Sequence, residues 1–174
     1  MTFYSGFSIQ GEESLFAPFL DESDFCVAGF SLGAIKAIEY ALVAPRRIDK
    51  LQLFSPAFFQ HKSEKFKRLQ LLHFQKDKTT YTRNFLENIS YPSKMQMQSY
   101  YHDSDIDALK KLLYFVWDKK MLETLTNRAI MIELFLGQED KIIDAQQTKE
   151  FFQDFATIIM IKDAGHILQK DKHG

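Results

Sequence analysis

Residues 24–44, DFCVAGFSLGAIKAIEYALVA, decide the fold of this chain. Residues 24–30 form a mostly apolar run that predicts a buried strand, and residues 32–44 have the apolar spacing of a helix, which Pro45 helps to end. Between them, Gly29-Phe30-Ser31-Leu32-Gly33 matches the pattern G-x-S-x-G. In a strand–turn–helix context this pattern holds a serine hydroxyl on a sharp, strained turn, and its glycines let the strand and the helix pack closely. Ser31 is therefore the candidate nucleophile.

Outward from this stretch, strands and helices alternate along the chain. Further strands are predicted at residues 3–4, 51–54, 130–136 and 157–161, and further helices at residues 12–20 and 145–155. Residues 58–128 instead carry apolar side chains at helical spacing. The pattern predicts a single α/β domain over residues 1–174, with a mostly parallel sheet flanked by helices and a helical lid inserted at about residues 58–128.

Two further polar side chains follow predicted strands. Asp140 lies in the turn after residues 130–136, and His166 lies just beyond residues 157–161. The carboxyl ends of parallel strands share one edge of a sheet, so both side chains are expected beside Ser31. The order Ser, acid, His is that of the α/β hydrolases, which predicts a reduced α/β-hydrolase fold with His166 as base and Asp140 as the acid that orients it. Glu139 and Asp144 are alternative acids, because they lie close to Asp140 in the chain.

Two backbone amides are candidates for stabilising an oxyanion. The Leu32 N–H lies at the start of the predicted helix after Ser31, where a developing negative charge is favoured. The second donor is expected from the loop after the first strand, Ser5-Gly6-Phe7-Ser8, and the Phe7 N–H is the preferred choice. The alternative is that this loop is an ordinary turn.

Composition and charge narrow the class of protein. A net charge of −1 at pH 7 does not indicate a nucleic-acid-binding protein. Residues 58–128 hold 13 Lys and Arg against 8 Asp and Glu, so the predicted lid is basic and the rest of the chain is acidic. The one cysteine excludes an internal disulfide, and no basic leader or long apolar run is visible, so we expect a cytoplasmic protein. No metal-ligand spacing such as H-E-x-x-H occurs, and a triad needs no cofactor, so neither is expected.

The motifs around the three candidate residues resemble those of a known family. Gly29-Phe30-Ser31-Leu32-Gly33, Gly137-Gln138-Glu139-Asp140 and Ala164-Gly165-His166 are similar to the triad loops of the pimeloyl-acyl-carrier-protein methyl ester carboxylesterases of biotin synthesis. The lid stretch at residues 64–70 is similar to a substrate-contacting segment of the BioH type, and residues 3–7 with 29–40 resemble the short BioV type.

This resemblance implies a substrate and a partner. The enzyme would remove the methyl group from a carrier-bound acyl ester through an acyl-enzyme on Ser31. Phe66 and Gln70 would contact the acyl chain, and Lys62, Lys65 and Arg68 would attract an acidic acyl-carrier protein.

Two other functions remain open at this point. One is a generic short-acyl carboxylesterase or thioesterase without a carrier partner. The other is a binding protein on a hydrolase-like scaffold that has lost catalysis, because larger hydrolases have about two more strands before the Phe7 loop and a further strand–helix pair after it. Ser5 also departs from the family pattern, since many relatives have histidine there.

Overall fold

The structure is a computed structural model that describes residues 1–171 of the 174-residue chain. Its five strands are β1 Thr2–Tyr4, β2 Cys26–Phe30, β3 Lys50–Phe54, β4 Met131–Gly137 and β5 Thr157–Ile161. The α-helices are α1 Leu32–Val43, α2 Glu64–Lys76, α3 Lys78–Ser90, α4 Ile106–Tyr114, α5 Lys119–Asn127 and α6 Ala145–Phe152. Two short 3₁₀ helices cover Glu12–Phe16 and Gln98–Tyr100. None of the helices within residues 1–171 has the length and apolar character needed to cross a membrane.

The strands form one sheet in the order β1-β2-β3-β4-β5, and every neighbouring pair is parallel. All five carboxyl ends therefore lie along one edge of the sheet. The predicted α/β class and parallel sheet are confirmed. Helices α2 to α5 all lie between β3 and β4, within the residues 58–128 for which helical spacing was predicted.

Helix α1 packs closely on the sheet because its inner face is small. Gly33, Ala34, Ala37 and Ala41 are buried on that face, and the three alanines belong to a core cluster that includes strand residues of β2, β3 and β4. The inserted helices join the same cluster. Trp117, which is 2% exposed, donates its indole N–H to the Ala57 carbonyl at 2.8 Å and so anchors the segment before α5 to the loop after β3.

The opposite face of the sheet is covered by aromatic side chains. The Phe16 ring lies 4.9 Å from the Phe30 ring and 4.8 Å from the Phe54 ring, measured between centroids. These contacts come from a short 3₁₀ helix, so the helix predicted at residues 12–20 is present but ends earlier than expected, at Phe16. Pro18 lacks a backbone donor, and the N–H groups of Phe19 and Leu20 both return to the Phe16 carbonyl, which makes a turn.

Candidate active site

The Ser31 turn has the strained geometry expected between a strand and a helix. Ser31 has φ 54° and ψ −114°, an uncommon backbone region for a residue other than glycine. Its N–H donates to the Phe54 carbonyl at 3.0 Å, and its own carbonyl accepts from the Ala57 N–H at 3.1 Å. A Cβ at Gly33 would overlap the Tyr4 carbonyl oxygen, so only glycine allows the start of α1 to lie against the end of β1. Contacts with both neighbouring strands, β1 and β3, therefore keep Ser31 in this strained backbone conformation.

Asp140 and His166 form a closed pair at the same edge. The Asp140 Oδ2 lies 2.7 Å from the His166 Nδ1, and both side chains are 0% exposed. The other carboxylate oxygen, Oδ1, accepts the N–H groups of Ile142 at 2.7 Å and Ile143 at 3.0 Å. Three hydrogen bonds thus fix the carboxylate, and with it the orientation of the imidazole.

The two alternative acids do not contact this histidine. Glu139 is exposed, and its backbone N–H donates to the Ala164 carbonyl at 2.9 Å. Asp144 caps α6 by accepting the Gln147 N–H at 2.9 Å. Of the three carboxylates that the sequence offered, the structure brings Asp140 to His166.

The backbone of His166 is held by Ser55, a residue to which the sequence patterns assigned no functional role. The Ser55 hydroxyl, which is buried, donates to the His166 carbonyl at 2.7 Å. The imidazole also packs on Phe30, the residue before Ser31, with ring centroids 4.9 Å apart. Ser55 follows β3 at the same sheet edge as Ser31, and that position was the only sequence signal for this role.

Two reactive atoms at this edge are buried and unpartnered. Neither the Ser31 Oγ nor the His166 Nε2 has a hydrogen-bond partner in the part of the chain that the structure describes. Since Asp140 occupies Nδ1, the free nitrogen of the imidazole is the one that a base would use. Catalytic hydrogen bonds are often long before substrate binds, and buried polar atoms are otherwise nearly always satisfied.

The two predicted oxyanion donors share this property. Phe7 and Leu32 are 1% and 2% exposed, and neither backbone N–H donates a hydrogen bond within residues 1–171. The Phe7 loop lies against the Ser31 turn, because a Cβ at Gly6 would come within 2.8 Å of the Phe30 side chain. Buried backbone donors without acceptors are rare, and here they flank the candidate nucleophile.

A cavity of about 300 Å³ lies between the inserted helices and the body of the protein. The predicted substrate residues Phe66 and Gln70 both line it, together with Phe59, His73, Tyr81, Asn84, Phe85, Asn88, Leu113, Lys141 and Ile142. The Tyr81 hydroxyl donates to the Gln70 Oε1 at 3.0 Å, and burial raises the pKa of Tyr81 to about 12. The cavity wall thus combines aromatic and aliphatic side chains with neutral amides, and Lys141 adds one positive charge.

The three predicted carrier-binding residues lie at or near α2, in different surroundings. Lys65 and Arg68 are exposed, whereas the Lys62 ammonium lies 5.5 Å from the Phe66 ring centroid. Lys67 is only 7% exposed, and its ammonium lies over the Tyr114 ring. Residues 1–171 contain no group of three or more His, Cys, Asp or Glu side chains placed to hold a metal ion.

Comparison with known families gives one match to the sequence. The family model Hydrolase_4, described as serine aminopeptidase S33, matches residues 20–173, which is most of the chain. No curated protein sequence is significantly similar to the chain.

Solved structures with the same fold include several esterases. An esterase (EaEST) from Exiguobacterium antarcticum superposes with a TM-score of 0.60 at 16% identity, over 81% of this chain and 59% of that one. Naproxen esterase from Bacillus subtilis gives 0.54 at 17%, over 85% and 55%. MenH from S. aureus gives 0.56 at 13%, over 95% and 85%. The chain therefore spans a little over half the length of the two esterases.

Proposed function

The chain belongs to the Hydrolase_4 family of serine aminopeptidase-like α/β hydrolases, and we propose that this member is a carboxylesterase acting on the methyl ester of a carrier-bound acyl chain. One observation carries the catalytic part of the proposal. Four buried groups that have no hydrogen-bond partner within residues 1–171 lie at one sheet edge: the Ser31 Oγ, the His166 Nε2 and the N–H groups of Phe7 and Leu32. These are the nucleophile, base and oxyanion donors that acyl transfer requires.

The mechanism follows from the contacts of each group. As the Ser31 Oγ attacks the ester carbonyl carbon, the His166 Nε2 takes its proton, and Asp140 stabilises the imidazolium through Nδ1. The carbonyl oxygen becomes an oxyanion that accepts the N–H groups of Leu32 and Phe7. When the C–O bond to the alcohol breaks, His166 returns the proton to the leaving oxygen, and methanol departs.

The second half reaction regenerates the enzyme. The His166 Nε2 takes a proton from a water molecule whose oxygen attacks the acyl carbon of the Ser31 ester. A second oxyanion forms in the same place, and the bond to the Ser31 Oγ breaks as the oxygen takes the proton back from His166. The free carboxylate product then leaves the site.

The cavity supports an acyl substrate of medium length. Its rings, Phe59, Phe66 and Phe85, with Leu113, can bury methylene groups at about 0.8 kcal/mol for each. The Gln70 and Tyr81 pair adds a polar contact for a group part-way along the chain.

The carrier part of the proposal depends on one face of α2. Lys65, Arg68, Leu69, Leu72 and Lys76 are exposed and recur at helical spacing on this face, which we call the α2 outer face. Leu69 and Leu72 are 43% and 57% exposed, so two apolar side chains lie among the basic residues of this face. A basic face with two apolar side chains complements an acidic amphipathic protein surface, which favours a carrier over a free small ester.

The identity of the nucleophile and the activation of its hydroxyl can be tested with one reagent. A fluorophosphonate should label the protein at Ser31, and Ser31→Ala should abolish labelling and lower turnover of a p-nitrophenyl ester by about 10⁴–10⁶-fold. Ser14→Ala is the matched control, because Ser14 is exposed and lies on the short 3₁₀ helix. A wild-type protein that neither reacts nor hydrolyses the ester would favour the non-catalytic binding function instead.

The carrier is tested by charge reversal. Arg68→Glu should raise KM for a carrier-linked methyl ester by about fivefold or more and leave p-nitrophenyl ester turnover unchanged. Arg47→Glu makes the same charge change beside the amino end of β3, at the opposite edge of the sheet from the site. It should change neither the KM for the carrier-linked ester nor the turnover of the p-nitrophenyl ester. Equal turnover of carrier-linked and free methyl esters, unaffected by salt, would favour a generic esterase without a partner.

A further inference from the structure

Glu12 is a buried carboxyl group that the mechanism above does not use. It is 0% exposed and begins the 3₁₀ helix Glu12–Phe16. Its Oε1 accepts the Gly6 N–H at 2.7 Å, and its Oε2 is buried without a hydrogen-bond partner in the described chain. A buried carboxyl group is costly, so the short hydrogen bond that it accepts from the loop before Phe7 needs a reason.

Rotation about the backbone bonds of Gly6 could turn the Phe7 N–H away from the oxyanion position. The Gly6 backbone can rotate easily because glycine has no Cβ, and the Phe30 side chain leaves no room for one. The peptide that follows Gly6 carries the Phe7 N–H, and the peptide that precedes it donates to Glu12. Fixing the preceding peptide therefore restricts the direction in which the Phe7 N–H can point.

The other side of Phe7 is fixed by the inserted segment. The Ser8 N–H donates to the Ser104 hydroxyl at 3.0 Å, and the Ser8 carbonyl accepts the His102 N–H at 3.0 Å. Phe7 thus lies between two held residues, and Glu12 supplies the hold on the side nearer β1.

The chemistry of Glu12 fits this task better than a packing role. Burial raises the pKa of Glu12, and the hydrogen bond from the Gly6 backbone is the largest of the effects that oppose the rise. An apolar side chain would fill the same space without the cost of burying a carboxyl group, but it would leave the Gly6 N–H unpaired and free to move.

We propose that Glu12 is a positioning residue that acts through Gly6 to hold the Phe7 N–H as the second oxyanion donor. This inference rests on the proposed esterase function, since the donor matters only when an oxyanion forms. Glu12 touches neither substrate nor reacting atoms in this role, so its removal should weaken transition-state stabilisation and leave substrate binding largely intact.

The test compares Glu12→Ala, Glu12→Gln and Glu13→Ala on a p-nitrophenyl ester, with enzyme concentration set by complete fluorophosphonate titration. Glu12→Ala should lower kcat by about 10²–10³-fold with KM within about twofold, as for the loss of one oxyanion donor. Glu12→Gln should recover activity to within about tenfold of wild type, because its amide oxygen can accept the Gly6 N–H. Glu13 is the exposed neighbour, and Glu13→Ala should match wild type.

Affinity for an alkyl boronic acid, which imitates the tetrahedral intermediate, should fall in Glu12→Ala in proportion to kcat/KM. If alanine prevents folding, Glu12→Met keeps the side-chain length without an acceptor, and the same losses are expected. A variant without the acceptor that melts lower but keeps wild-type kcat well below its Tm would overturn the proposal, as would a loss confined to KM. A wild-type protein inactive in both assays would overturn the esterase function itself, and the inference with it.

Discussion

The contacts of Asp140 make the substitution Asp140→Asn unusually informative. The Oδ1 position accepts two backbone N–H groups, from Ile142 and Ile143, so the oxygen of an asparagine amide must occupy it. The amide NH₂ is then directed at the His166 Nδ1, in place of the carboxylate oxygen that now lies 2.7 Å away. An NH₂ donor requires Nδ1 to be an acceptor, which places the imidazole proton on Nε2.

The size of the effect follows from this tautomer. With a proton already on Nε2, His166 cannot take one from Ser31, and the imidazolium also loses its negative partner. Both effects lower kcat, and we expect a loss of about 10⁴-fold, the loss known for this change in a serine protease triad, or about 5.4 kcal/mol in the activation free energy. The fold should survive, because the amide oxygen keeps both backbone contacts and a buried charge is removed.

Steady-state turnover of a p-nitrophenyl ester measures this loss, and thermal melting checks the fold. Glu139→Gln is the matched control, since the adjacent carboxylate is exposed and makes no side-chain contact with His166. Its kcat should equal that of wild type. A kcat for Asp140→Asn within tenfold of wild type would refute the reasoning, because the histidine would then be oriented by something other than Asp140.

Two other substitutions test the fold that carries the site. Gly33→Ala should lower the free energy of unfolding, measured by urea titration, by about 3 kcal/mol, because its Cβ would overlap the Tyr4 carbonyl. Gly11→Ala, at φ +77° with nothing near the new Cβ, should lower it by about 1 kcal/mol. Equal losses in the two variants would contradict the argument. His61 has both ring nitrogens buried and unpartnered within the described residues, and burial lowers its pKa from 6.5. The unfolded chain therefore binds a proton at His61 more readily than the folded chain, and the free energy of unfolding falls as the pH drops below about 6.5. His61→Phe should therefore lose less unfolding free energy than wild type between pH 7.5 and 5.5, and an equal loss in both proteins would exclude His61 as a cause.

Much of the fold could be predicted from local patterns. The strand at residues 157–161 was predicted with the bounds that the structure gives it, because a short continuous apolar run between turn residues indicates a strand. Parallel strands end at one edge, and this rule was enough to expect His166 and Asp140 together. The helix predicted at residues 12–20 is a 3₁₀ helix that ends at Phe16, before Pro18.

The supporting contacts of the site were beyond the reach of sequence patterns. Ser55 meets the His166 carbonyl across 111 residues, and no spacing rule relates the two positions. Glu12 reaches Gly6 across a loop in which Ser8 and Gly11 both have positive φ, a path that apolar periodicity does not describe. Long-range partners of this kind become visible only when the backbone path is known.

Residues 54–57, which comprise the end of β3 and the loop after it, hold the backbones of both the candidate nucleophile and the candidate base. Phe54 and Ala57 form hydrogen bonds with the backbone of Ser31, and Ser55 forms one with that of His166. Both candidate catalytic residues are therefore attached to the same four-residue segment. The inserted helices begin only a few residues later. We therefore expect that when those helices shift to admit an acyl chain, any displacement of residues 54–57 moves Ser31 and His166 together. The distance that the proton must cross between them then stays nearly constant.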